Sequence, residues 1–167
     1  MTVSEKIAEW LHEKRIETIF GIVGGGNIPL WDAITRLGKT KIISPHHEQA
    51  AVMAAAAYFR ISGRISVALV TTGAGSTNAI TGVASAYMDS TPVLILSGNE
   101  SSKYMGAPTR VWGVQGYDSS DVVRKVCKQS LRAEGMPVMD SLLENALKPR
   151  QGPVWCDLPK SVQSATI

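Results

Sequence analysis

Cysteine is scarce: Cys127 and Cys156 stand apart among 167 residues, and two isolated thiols form neither a metal-ligand spacing nor a disulfide framework. Both read as core thiols, and a reducing cytoplasmic compartment fits that usage. Long apolar runs are missing too, which argues against a membrane span. The first twenty residues, MTVSEKIAEWLHEKRIETIF, lack the apolar core and small-residue cleavage site of a secretory leader. Charge of one sign is nowhere concentrated. Lys and Arg total 17 against 14 Asp and Glu, for a net charge of +3, and no basic stripe is interleaved with aromatics, so no nucleic-acid partner is expected. There are no internal repeats or low-complexity segments. What remains, 44% hydrophobic and 19% charged, reads as one soluble folded domain with a real core.

The apolar pattern describes alternating helices and strands. Ile7, Trp10 and Leu11 recur at helical spacing, and ETIFGIV then gives a short apolar run that ends at Gly24-Gly25-Gly26. From Asn27 to Leu37 the spacing of Ile28, Leu30, Trp31, Ile34 and Leu37 predicts a helix with Asn27 as N-cap, Pro29 in its first turn and Gly38 as its stop. Further strands are expected at KIIS, ISVALVT, PVLILS, VRKVCK and PVWCDL, and further helices at Glu48 to Ser62, Ser76 to Met88 and Pro137 to Leu147. Runs such as VALV and VLIL lack polar alternation, the mark of strands covered on both faces. The expected fold is therefore α/β: a doubly wound, about six-stranded parallel sheet with helices on both faces. The domain is expected over residues 1–160, with 161–167 (SVQSATI) a linker or tail. Ligands of such folds sit at the carboxyl ends of the strands, which directs attention to Gly24 to Asn27, Pro45 to Glu48 and Thr71 to Asn78.

Two of these segments carry chemical signals. VALVTTGAGSTNAITGVASAY is strand, glycine turn, helix: Gly73 and Gly75 permit the sharp turn, and Ser76, Thr77 and Asn78 are positioned to cap a helix whose first N–H groups are free for a polar ligand. The match to a dinucleotide fingerprint is G-x-G-x-x-N, lacking the third glycine, so a plain tight turn and a nucleotide-binding or regulatory module both stay open, with Glu100 as a ribose-binding carboxylate in the second case. In SPHHEQAAVMAAAAYFR, Glu48 opens a helix made largely of alanine. An ordinary reading is a favourable charge at a helix N-terminus. The alanine-rich surroundings suggest instead a close-packed, partly desolvated site, where a carboxylate can share a proton with a ligand nitrogen. His46 and His47 are either general acids or residues that cap and pack the helix start.

Together, FGIVGGGNIPLWDAI, HHEQAAVMAAAAYFRISGR, VALVTTGAGSTNAITGVASAYMDSTPVLILSG, VQGYDSSDVVRKVCK and GPVWCDLP resemble the N-terminal pyrimidine-binding domain of thiamine diphosphate enzymes, and within them the acetolactate synthase group. The motifs occur in the family's order over essentially the whole chain. The resemblance implies that Glu48 hydrogen-bonds N1′ of the cofactor's aminopyrimidine and stabilises the imino tautomer, which removes the thiazolium C2 proton before attack on a 2-oxo acid. It further implies that Gly24, Gly25, Gly26 and Asn27 form a loop close to the reaction centre, and that Thr72, Gly73, Gly75 and Asn78 pass by the aminopyrimidine. His47 and Gln115 are implied as substrate or active-site loop residues. Two segments depart from the pattern: SGNES puts Asn99 where acetolactate synthases usually have glutamine, and WGVQGYD keeps Gln115 but flanks it with Val114 and Gly116. These departures bear on the product rather than on fold or cofactor. Trp112 is a candidate for the substrate entrance, while Tyr117 and Asp118 read as loop or interface residues.

No glycine-aspartate-glycine segment with a downstream asparagine occurs here, so the resemblance implies half a site. Mg2+ and the diphosphate are expected on a diphosphate-binding domain of the same chain or of a partner subunit, and no metal ligand is expected among these residues. An FAD, where present, is expected to sit largely in a middle domain. The resemblance also implies a homo-oligomer, dimer or tetramer, with Glu48 to Ser62 and Ser76 to Met88 as contact candidates. It is compatible with an excised domain, the favoured reading, or with the small subunit of a split 2-oxo acid decarboxylase.

Overall fold

The computed structural model describes all 167 residues, Met1 to Ile167. Six strands, β1 (Thr18–Gly21), β2 (Lys41–Ile43), β3 (Val67–Val70), β4 (Leu94–Asn99), β5 (Gln129–Arg132) and β6 (Val154–Pro159), form one sheet in the order β2-β1-β3-β4-β6-β5. Every pairing is parallel. The strand order reverses after β1, the arrangement expected of a doubly wound sheet.

Alternation along the buried strands divides the interior in two. Val67, Leu69, Leu94, Leu96, Val154, Cys156 and Leu158 join a core with α1 (Val3–Glu13), α2 (Ile28–Leu37) and α6 (Met139–Leu147). Ala68, Val70, Ile95 and Trp155 face the other way, onto α3 (Glu48–Ser62), α4 (Ala74–Met88) and the segment after α5 (Ser119–Val122). The first core is filled by large side chains, among them Ile7, Leu11, Leu30 and Leu142. The second is lined by Ala55, Ala56, Ala79, Val83 and Ala86, so α3 and α4 pack closely: a Cβ on Gly82 would lie 2.7 Å from the Val52 Cβ.

Local chemistry explains the helix ends. Thr2 and Glu5 form a reciprocal capping box at the start of α1. Gly38 and Gly63 stop α2 and α3 in the left-handed region, at φ +65° and +69°. α3 spans the expected residues, whereas α4 begins at Ala74, two residues earlier than expected.

Three expectations are corrected. VRKVCK is not a strand: Val123, Val126 and Cys127 lie in the turns after α5, where Val123 and Cys127 enter the second core. Their i, i+3, i+4 spacing is that of a helical turn, and the true edge strand, QSLR, is only half-buried and carries little apolar signal. The helix expected from Pro137 to Leu147, α6, begins at Met139. The last residues, expected as a linker or tail, pack on the domain: α7 (Lys160–Gln163) buries Val162 and Gln163, the Val3 N–H donates to Ala165 O and the Ile167 N–H to Met1 O. No helix is long and apolar enough to cross a membrane.

Candidate active site

Glu48 is the first residue of α3 and only 8% exposed. β2 ends at Ile43, so the chain delivers this carboxylate at the carboxyl edge of the sheet. Its Oε2 accepts a hydrogen bond from Asn78 Nδ2, one turn into α4, at 2.9 Å. Its Oε1 lies against Gly75, where an added Cβ would sit 3.3 Å away. One carboxylate oxygen is thus anchored and the other faces a backbone kept bare.

Thr71, at the end of β3, organises the ground around it. The Gly26 N–H donates to Thr71 Oγ1 at 3.0 Å. A Cβ on Gly24 or Gly75 would come within 2.5 Å of the Thr71 Cγ2, so both positions exclude any larger residue. The glycine loop and the start of α4 are therefore drawn together over one threonine. Gly26 also runs close to Gly98 and Thr72, while Gly25 is exposed with open space around it.

Asn27 lies in this loop but does not cap α2 with its side chain. It is fully buried, and it accepts from the Gly24 N–H at 2.9 Å while donating to Ile22 O at 3.0 Å. It holds the loop shut on itself. Ser76 and Thr77 likewise bond back to Gly73 O and Ala74 O, and the Asn78 side chain is committed to Glu48 instead of the helix cap.

Thr72 Oγ1 donates to Asn99 Oδ1 at 3.0 Å, and Gly73 takes φ +65° as the N-cap of α4. Gln115 closes over this turn: its Nε2 donates to Thr72 O at 3.1 Å, and a Cβ on Gly73 would strike its side chain at 2.8 Å. His47 is the one predicted site residue that turns away. Its Nδ1 accepts the Gln49 N–H at 3.2 Å, so it caps α3 and leaves Glu48 without an imidazole partner.

Glu100, the carboxylate a nucleotide ribose would require, is buried and paired with Lys160 at 3.2 Å beneath the turn at Gly113 and Gly116. Trp112 sits beside the Arg132 guanidinium, 5.3 Å from ring centroid to Cζ. Tyr117 is hydrogen-bonded to Ser76 Oγ at 2.8 Å, and burial pushes its hydroxyl above the usual range. No group of three or more His, Cys, Asp or Glu side chains converges on a common point. A surface cavity of about 540 Å³ between α1 and α2 touches neither Glu48 nor its partners.

Thr71, the first residue of one candidate loop, supports the site, as do Gly98, Asn99 and Gln163, which lie outside the candidate site residues. Buried Gln163 donates to Gly26 O and Leu158 O, both at 2.7 Å, and accepts from the Leu30 N–H at 3.3 Å. Nothing in its polar, C-terminal setting signals this role, whereas Thr71 had a visible cue in ending a doubly covered strand just before G-x-G.

A doubly wound parallel sheet that sets a buried carboxylate against bare glycine backbone defines a cofactor-binding α/β domain. The model of the thiamine pyrophosphate enzyme N-terminal TPP-binding domain matches residues 1–131, and the chain belongs to that family. Relatives include the acetolactate synthase large subunits of Buchnera aphidicola subsp. Schizaphis graminum, 38% identical over 98% of this chain, and Haemophilus influenzae, 38% identical over 94%. The acetolactate synthase isozyme 3 large subunit of Escherichia coli is 36% identical over 95% of the chain. This chain spans 27–28% of the length of these relatives.

The residues present fit the aminopyrimidine end of thiamine diphosphate. Oε2 of Glu48 is held by Asn78 while Oε1 accepts no hydrogen bond within the chain, which leaves an acceptor for a ring nitrogen.

Proposed function

We propose that this chain is the aminopyrimidine-binding half of a thiamine diphosphate-dependent, acetolactate synthase-like enzyme that decarboxylates 2-oxo acids or joins them to an acceptor. The observation that carries the proposal is the buried Glu48 carboxylate, tethered at Oε2 by Asn78 with Oε1 accepting no hydrogen bond within the chain. When bound, the cofactor supplies the electron sink for breaking and making the bond next to the carbonyl carbon. Glu48 holds a proton in common with a ring nitrogen and returns it, a role that needs a fixed and largely dry carboxylate. Asn78 orients that carboxylate, and the missing side chains at Gly73 and Gly75 let Gln115 and Thr71 close on the turn beside it. Gln115 and the Gly24–Asn27 loop border the reacting side.

The names of the relatives support an acetolactate synthase-like reading, and the coverage of about 28% supports a larger assembly in which other residues hold the diphosphate. Mg2+ belongs to that other part, as does FAD if the enzyme carries one. A cytoplasmic setting suits two buried free thiols. The assembly is proposed as a homo-oligomer that uses α3 and α4.

The test is Glu48→Gln in the assembled enzyme, assayed by steady-state turnover of a 2-oxo acid. Acid–base roles of this kind contribute about 10²- to 10⁴-fold, and a loss of that size with an unchanged melting temperature is expected. Turnover within threefold of the parent overturns the proposal.

A further inference from the structure

Behind the candidate site lies a carboxylate that the proposed chemistry does not use. Asp157, in β6, has no exposed surface. Its Oδ2 accepts from Asn99 Nδ2 at 2.7 Å and its Oδ1 from Ser119 Oγ at 2.7 Å. Asn99 in turn spends every polar group of its side chain. Its Nδ2 also donates to Tyr117 O at 2.9 Å, while its Oδ1 accepts from Thr72 Oγ1 at 3.0 Å and from the Glu100 N–H at 2.8 Å.

This places one amide at the meeting point of two segments that border Glu48. Thr72 leads into the Gly73–Gly75 turn, and Tyr117 ends the turn that carries Gln115. An amide side chain has two rotational settings related by a flip, and only one presents its N–H groups to Tyr117 O and its oxygen to Thr72. The Asp157 carboxylate, acceptor only when ionised, selects that setting. Asp118, Arg132 and Tyr117 are the other titratable groups that face it, and Arg132 is ion-paired with Asp118 at 3.3 Å.

We propose that Asp157 is a positioning residue for cofactor binding: through Asn99 it fixes the Thr72–Gly75 turn and the Gln115 turn relative to each other. The proposal rests on the reading of Glu48 above. It also gives a function to the Gly98-Asn99 pair, where the sequence departs from the glycine-glutamine of its resemblance family: the shorter amide fits between Asp157, Thr72 and Tyr117 with all partners satisfied.

The experiment measures thiamine diphosphate affinity by calorimetry, with Mg2+ present, in the native assembly and in its Asp157→Ala and Asp157→Asn variants, alongside thermal unfolding. Asn at this position keeps an acceptor for Asn99 and can donate to Ser119, so it should bind within about twofold of the parent, whereas Ala should weaken binding roughly tenfold, as lost supporting contacts commonly do. A purely structural role would lower the melting temperature of Asp157→Ala without changing the affinity of the folded protein, and that result overturns the proposal. If Asp157→Ala does not fold, Asn99→Ala, which leaves the carboxylate bonded to Ser119, carries the same expected loss, and unchanged affinity there is equally fatal. Absence of binding in the parent assembly overturns the reading of Glu48 together with this one; normal binding in both alanine variants overturns this one alone.

Discussion

At the scale of single residues, Asp157 and Glu48 show how two buried carboxylates are put to different uses. Asp157 is enclosed by neutral donors, and burial pushes its carboxyl up from 3.8 to about 6 despite the hydrogen bonds from Asn99 and Ser119. The folded state therefore holds this proton more tightly than the unfolded chain. Asp157 contributes stability at low pH, and this is lost as pH rises from about 4 through about 6, after which the loss is constant. Asp157→Asn removes the titration. Its unfolding free energy relative to the parent should thus rise by about 2 kcal/mol between pH 4 and pH 7. Denaturant titrations at the two pH values check this, and a pH-independent difference would show that Asp157 is already ionised at little cost in the fold. Glu48, by contrast, leaves one oxygen without a hydrogen-bond donor from the chain, which is what a group that meets a ligand requires.

At the scale of elements, α3 and α4 are the parts that do two things at once. Their inner faces are small, so the helices approach closely and bring Asn78 to Glu48. On the outside, Ala50, Met53, Ala57 and Ile61 of α3 are exposed at i, i+3, i+7 and i+11, with Ile61 at 88%, and Met88 of α4 is 68% exposed. This apolar stripe is the proposed interface with a second copy of the chain. Replacing both Met53 and Ile61 by Lys should reduce the native mass in light scattering by at least half, with the domain still folded; an unchanged mass would rule this face out. Most of these elements were legible from pattern alone. Doubly covered strands read as continuous apolar runs, and α3 is bounded by Pro45 before it and Gly63 after it. β5 was not legible because an edge strand such as QSLR shows no apolar run, and the run beside it, VRKVCK, packs through turns instead. α7 was missed because its anchoring residue is Gln163, a polar side chain whose three hydrogen bonds tie the chain's end to Gly26 of the glycine loop, Leu30 of α2 and Leu158 of β6. The position of Glu48, Gly75 and Gln115 could be carried over from motifs, yet the side-chain ties of Asn27, Asn78 and Asn99 depend on which donors the fold brings near, which spacing alone does not encode.

At the scale of the whole molecule, the sheet places one acid and one amide beside glycine backbone at its carboxyl edge. Under the proposal, this domain activates one end of a cofactor while another part of a larger assembly grips the far end, in keeping with the 28% of a relative's length that the chain spans. The central claim is that Glu48 acts on the aminopyrimidine. It is tested most directly by NMR measurement of hydrogen–deuterium exchange at C2 of thiamine diphosphate bound to the native assembly, in parent and Glu48→Gln protein. The account predicts exchange slower by at least about 10²-fold in the variant, with cofactor still bound; equal exchange rates in the two proteins would contradict it.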